Sequence, residues 1–181
     1  MIPIQSPEVP RLAWIIVLVM ASLALSRVFA CATPFAALAT LGALTLRPRE
    51  ALSLVLAIWV GNQVIGFGLL HYPWTVSTLG WGIAIAAAAV AALAAARVIA
   101  RLIIHNGIVV WIGAFAAAFA AYELVLFAAT AVLPSGGDAF AAAVIARICA
   151  INGVALGLLL AAHQFARVSG LTKSRPIALP G

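Results

Sequence analysis

The chain has 181 residues, is 66% hydrophobic and 8% charged, and carries a net charge of +6, with a mean hydropathy of +1.23. A soluble domain covers itself with roughly 25% charged residues, so the composition excludes a water-soluble fold; charge-free runs of about 20 residues instead match the roughly 30 Å hydrocarbon core of a bilayer. The length leaves no room for a soluble catalytic domain beside the membrane part, and one transmembrane domain over residues 1–181 is expected.

In lipid every backbone polar group must be satisfied within the protein, which leaves helices or closed barrels as spanning elements. Runs such as "GIAIAAAAVAALAAA" lack the alternation of a barrel strand, so the fold class is all-α, a polytopic membrane protein with six predicted transmembrane helices. A short arm, residues 1–11, precedes the first span at 12–30. The "RVFAC" around Cys31 has the look of a lipoprotein processing site, but Arg27 and Phe29 speak against cleavage. Thr33 and Pro34 open the second span, with proline where the first turn of a helix tolerates it. At residues 34–46 that span is too short to cross a bilayer unaided. "RPRE" ends it, and the third span covers 51–70. The loop "HYPWTVST" leads to the alanine-rich fourth span, 79–100, whose small side chains favour close helix contact. The fifth covers 108–133, "PSGGD" is a glycine- and proline-rich turn, and the sixth covers 139–166. A basic tail, residues 167–181, closes the chain.

Six spans place both termini and the second and fourth loops on one face. Arg11, Arg47, Arg49, Arg97, Arg101, Arg167, Lys173 and Arg175 all fall there, which the positive-inside rule assigns to the cytoplasm. Both ends are therefore expected inside, in a multi-pass protein of the cell inner membrane. The pI near 10.8 follows from this bias and a shortage of acids, with no nucleic acid implied.

Ionisable residues within spans cost about 2.5 to 3.5 kcal/mol each on insertion scales and are candidates for function. Arg27, Glu123 and Arg147 are the strong cases. Counting at 1.5 Å per residue puts Glu123 and Arg147 roughly 12 to 15 Å below the outer surface, where adjacent antiparallel helices would let them pair. Asn62 and Gln63 fall at a similar depth. Each has a structural reading: ion pairs lock helices, amides bond across helix interfaces, and Arg27 can snorkel. Together they give the outer half a polar character that the inner half lacks, apart from His163 and Gln164, and so suggest an outward-open cavity. His71, Tyr72, Trp74 and Trp81 would rim its mouth or belong to the interfacial aromatic belt. Asn152 and Gly153 with Gly157 in the sixth span read as close-packing positions. Cys31 and Cys149 have no metal-ligand spacing, and His71 has no partner at such spacing. No metal, cofactor or catalytic residue is expected.

The layout of six helices, a truncated second helix opening at Pro34, the basic turn "LRPRE" and a polar outer half resembles the substrate-binding S components of energy-coupling factor vitamin transporters. The resemblance implies a vitamin-like small molecule held near the outer face by the later helices and by the loops at residues 31–34 and 71–78, with contacts from Trp81, Glu123, Arg147 and Asn152. It also implies a transmembrane coupling subunit working with two ATPases, whose docking signature on the first helix is only loosely matched by Ala13, Ala21, Ser22 and Ala24. No glycine-rich phosphate loop with its lysine occurs in the chain, so ATP would be handled elsewhere. Two arginines and one glutamate suit an anionic or amide-bearing solute, and the aromatic loop suits a flat ring; a corrinoid is the first expectation, with biotin, a thiamin precursor, a pyridine or a deazapurine as others. The rival readings are a structural or assembly subunit of a larger membrane complex and an intramembrane enzyme using Glu123 or His71. The latter lacks a positioned partner for its base.

Overall fold

The computed structural model describes residue 16 and residues 33–103, 107–134 and 137–168, and these are helical with no strand among them. The expected first span, Ile16 apart, and the tail from residue 169 onward lie outside the described residues, and Arg27 with them. Helix α1 is Phe35–Thr45, α2 is Pro48–Gln63 continuing as a π-helical turn over Val64–Leu69, α3 is Val76–Leu102, α4 is Gly107–Ala129 and α5 is Ala142–Val168. A short 3-10 turn, Gly137–Phe140, precedes α5. Among the described residues four helical stretches are long and apolar enough to cross a membrane: Pro48–Leu69, Val76–Leu102, Gly107–Ala129 and Ala142–Phe165. The chain is a multi-pass membrane protein of all-helical build.

The short helix α1 is the hub. At about 16 Å it spans half a bilayer, yet Phe35 through Gly42 are all buried, and α2, α3, α4 and α5 each pack on it. Its sequence, "FAALATLGALT", is apolar on every face, as a helix enclosed on all sides must be. Ala36, Ala37, Ala39 and Gly42 let its neighbours approach closely; a Cβ on Gly42 would lie 3.3 Å from that of Ala51 on α2. The hydroxyls of Thr40 and Thr45 donate to the carbonyls of Ala36 and Leu41, at 2.7 and 2.6 Å, so neither hydroxyl is stranded.

A helix enclosed by its neighbours needs protein partners for its terminal N–H and C=O groups. Remote side chains do this at both ends. The Asn152 Oδ1 on α5 accepts from the Ala37 N–H at 3.2 Å, and Arg97 on α3 donates through Nη2 to the Leu46 carbonyl at 3.2 Å. The "RPRE" turn runs straight into α2: Pro48 takes the first helical position, and the Glu50 carboxylate accepts from the Arg47 N–H at 2.8 Å, a first-turn arrangement that needs no further loop.

The alanine-rich α3 forms a close hairpin with α4, as its small residues predict. Ala88, Ala89, Ala92 and Ala96 of α3 and Ala114 and Ala118 of α4 are fully buried, and a Cβ on Gly113 would sit 3.1 Å from Ile103 Cδ1. In contrast, α5 packs chiefly on α1 and hardly on α4.

Candidate functional site

A cavity of about 170 Å³ lies where α1 begins, bounded by all five helices and the 3-10 turn. Thr33, Phe35, Asn62, Tyr122, Glu123 and Asn152 give it its chemistry. Ile85, Leu126, Phe140 and Ile148 complete an otherwise apolar wall. Asn62, Glu123 and Asn152 were expected in a common site from the sequence, and the fold brings these three together.

Thr33 donates through its hydroxyl to Asn62 Oδ1 at 2.9 Å, linking the entry of α1 to α2. Asn152 is 4% exposed and fully engaged: besides accepting from Ala37 it donates through Nδ2 to the Ile148 carbonyl at 3.1 Å. It therefore lines the cavity as the cap of α1 rather than as an idle polar group. The rings of Phe35 and Tyr122 stack with centroids 5.8 Å apart and planes at 19°. Glu123 is half-buried, and its Oε1 is buried with no hydrogen-bond partner.

No ion pair joins Glu123 to Arg147 among the described residues, and Arg147 is exposed and does not line the cavity. The expectation rested on α4 and α5 being packed neighbours because they follow one another in sequence. Instead α1 packs against both and they scarcely meet, so equal depth does not bring the two side chains together.

Gln63 also leaves the cavity. Successive helical residues point about 100° apart, and here Asn62 lines the cavity while Gln63 does not. The Gln63 amide lies on α3, where a Cβ added to Gly82 would come within 2.9 Å of its Oε1. Trp59 donates its indole N–H to the Gly82 carbonyl at 2.8 Å, making Gly82 the close-approach point of α2 and α3.

The residues of "HYPWT" are accounted for by chain reversal. His71, with φ 54°, is the one non-glycine residue at positive φ among the described residues. It ends the π-helical turn in the left-handed conformation of a helix C-cap, with the Tyr72 N–H donating to the Gly66 carbonyl at 3.0 Å. Gly66 is required there because its Cβ would lie 2.9 Å from the Tyr72 ring. Trp74 is 75% exposed and stacks on Phe67 at 4.4 Å; Thr75 caps α3 by accepting from the Thr78 N–H at 3.2 Å. Trp81 donates its indole N–H to the Pro134 carbonyl at 3.1 Å, tying α3 to the turn after α4. None of His71, Tyr72, Trp74 and Trp81 lines the cavity.

Tyr122, Phe35, Phe140 and Ile148 were not singled out from the sequence. Tyr122 had a signal, its position beside Glu123, but the others are apolar residues in apolar runs. A second hollow, of about 310 Å³, runs between α4 and α5 toward the Arg47 end and is lined by residues such as Trp111, Phe115, Gly153 and Gly157. Among the described residues no group of three His, Cys, Asp or Glu side chains is placed to hold a metal ion, and Cys149 is a free thiol. Compared with known proteins, the chain matches no family model, no curated protein and no solved structure.

Proposed function

We propose that the chain is a membrane transport protein, a non-catalytic substrate-binding subunit that captures a vitamin- or cofactor-like small molecule and delivers it to the cytoplasm. One observation carries this reading: a cavity within the span region holds a buried carboxylate oxygen without a partner beside an amide and an aromatic wall. Packing alone gives no reason to keep such a group, since a stranded buried polar atom costs about 1 to 3 kcal/mol. Six helices, α1 as the short second one, with both termini cytoplasmic in an inner membrane, open this cavity to the outer face, because the arginines gather at the opposite end. In this reading the layout of an energy-coupling factor S component extends to a transmembrane coupling subunit and two ATPases as partners.

The size of the cavity weighs on the solute. An apolar cavity of roughly 150 Å³ holds one benzene ring, so about 170 Å³ suits a one- or two-ring solute better than the corrinoid expected from the sequence. The test is purification of the full chain in detergent, mass spectrometry of co-purified small molecules, and melting measurements across water-soluble vitamins. A retained vitamin, or a rise in Tm with one of them, is the expected result; repeated preparations that carry nothing and respond to none reject the capture reading.

A structural or assembly subunit is the second reading, and the groove between α4 and α5 favours it. Added Cβ atoms on Gly153 and Gly157 would meet nothing within 4 Å, which leaves room for a further helix to approach. Retention of the chain in a larger complex, with no ligand response, is the outcome this reading expects.

A further inference from the structure

The sequence points to an anionic solute because it counts two arginines, Arg27 and Arg147, and one glutamate in the outer half; Arg27 lies outside the described residues, and the described lining of the cavity differs from that count. Arg147 does not line it, and among the described lining residues Glu123 carries the only formal charge. Its Oε1 is buried without a hydrogen-bond donor, and a carboxylate removed from water stays ionised only when a cation or strong donors meet it. Two of the polar groups around it are engaged elsewhere: Thr33 donates to Asn62, and Asn152 accepts from α1 and donates to its own helix.

We infer that the solute presents a flat, N–H-bearing cationic group, of amidinium or protonated aminoheterocycle type, to Glu123. A fork of two N–H donors matches the two oxygens of a carboxylate and forms the stronger, charge-assisted kind of hydrogen bond. The Phe35–Tyr122 pair gives the same preference independently, since aromatic faces attract a desolvated cation. Asn62, its oxygen occupied by Thr33, keeps its N–H groups for an acceptor elsewhere on the ring. The volume of about 170 Å³ fits one six-membered ring with a substituent of this kind.

This assignment rests on the capture reading for its biological meaning, but its test does not depend on finding the vitamin. The probes are benzamidine as its cation, benzamide and benzoate, which share a ring and differ in charge. They are titrated into the full chain in detergent, with Tm and equilibrium dialysis as readouts. The cation is expected to bind most tightly, benzamide more weakly and benzoate not at all. Glu123→Gln should weaken the cation by about 10- to 100-fold while moving benzamide by less than about threefold, the difference expected from one charge-assisted contact. The charge series on the unmodified chain needs no variant, so a Glu123→Gln protein that fails to fold leaves it intact. Equal binding of the three probes, a preference for benzoate, binding of none, or an unchanged cation affinity in Glu123→Gln overturns the assignment. If an anionic vitamin is captured and taken up while the cation is ignored, the charge assignment falls and capture stands. If the cation binds through Glu123 and no vitamin is captured, the reverse holds.

Discussion

Two hollows lie in the same bundle, one on either side of the core formed around α1. The cavity at the start of α1 holds a threonine, two asparagines, a tyrosine and an unpartnered carboxylate oxygen, whereas the groove between α4 and α5 is apolar and gapped by glycines. The difference teaches that volume alone does not mark a binding site in a membrane protein. An apolar groove in lipid is filled by acyl chains or by another helix at little cost, because lipid tails are as apolar as leucine. A polar hollow is not filled in that way: its groups persist only where water, an ion or a solute of matching chemistry meets them.

Asn152 and Gly153 are consecutive and sit on opposite sides of this comparison. Asn152→Leu should have the largest effect, destabilising the chain by about 2 to 3 kcal/mol in a detergent unfolding titration, because the buried N–H of Ala37 loses its acceptor. A shift below about 0.5 kcal/mol would mean that the start of α1 finds another partner. Asn62→Leu comes next: it should weaken binding of a captured solute by about tenfold, the loss of one hydrogen bond, measured by dialysis. Glu123→Gln should raise the stability of the solute-free protein by about 1 kcal/mol, since it neutralises a stranded charge, while removing the rise in Tm given by the solute. An equal loss of solute-free stability would assign Glu123 to the packing side.

Smaller effects sharpen the contrast. Gly153→Ala should leave Tm unchanged or raise it by up to about 1 kcal/mol equivalent, because its Cβ meets nothing within 4 Å and alanine is the better helix former. If the same change instead releases the chain from a larger complex on native gels, the groove is a helix-docking face. Gln63→Leu should move solute affinity by less than about twofold, since its amide lies against Gly82 rather than in the cavity; a tenfold loss would place both amides in one site.

Much of the helix pattern is legible in the sequence. The short helix opening at Pro34, the "RPRE" turn, the alanine hairpin of α3 and α4, and the positions of α2 to α5 to within a few residues follow from apolar run length, proline and glycine placement, and small-residue content. These are local properties, and in lipid they are decisive because a backbone without water has so few ways to satisfy itself. The site is only half legible. Depth counting groups Asn62 and Glu123, which line one cavity, yet it also groups Gln63 and Arg147, which do not, because depth along a helix says nothing of rotation about its axis or of which helices are neighbours; Asn152 enters through the resemblance.

The sequence by itself determines that this chain is a helical membrane protein, where its described helices begin and end, and which few polar residues must find a partner away from water. Those follow from composition and spacing, since hydrocarbon imposes them on any chain. Only the tertiary structure decides that the shortest helix is the centre, that Asn152 and Arg97 hold its two ends, and that Glu123 faces a cavity without Arg147. Such pairings depend on the azimuth of each helix and on α1 coming between α4 and α5, and both are fixed by packing among residues far apart in the chain.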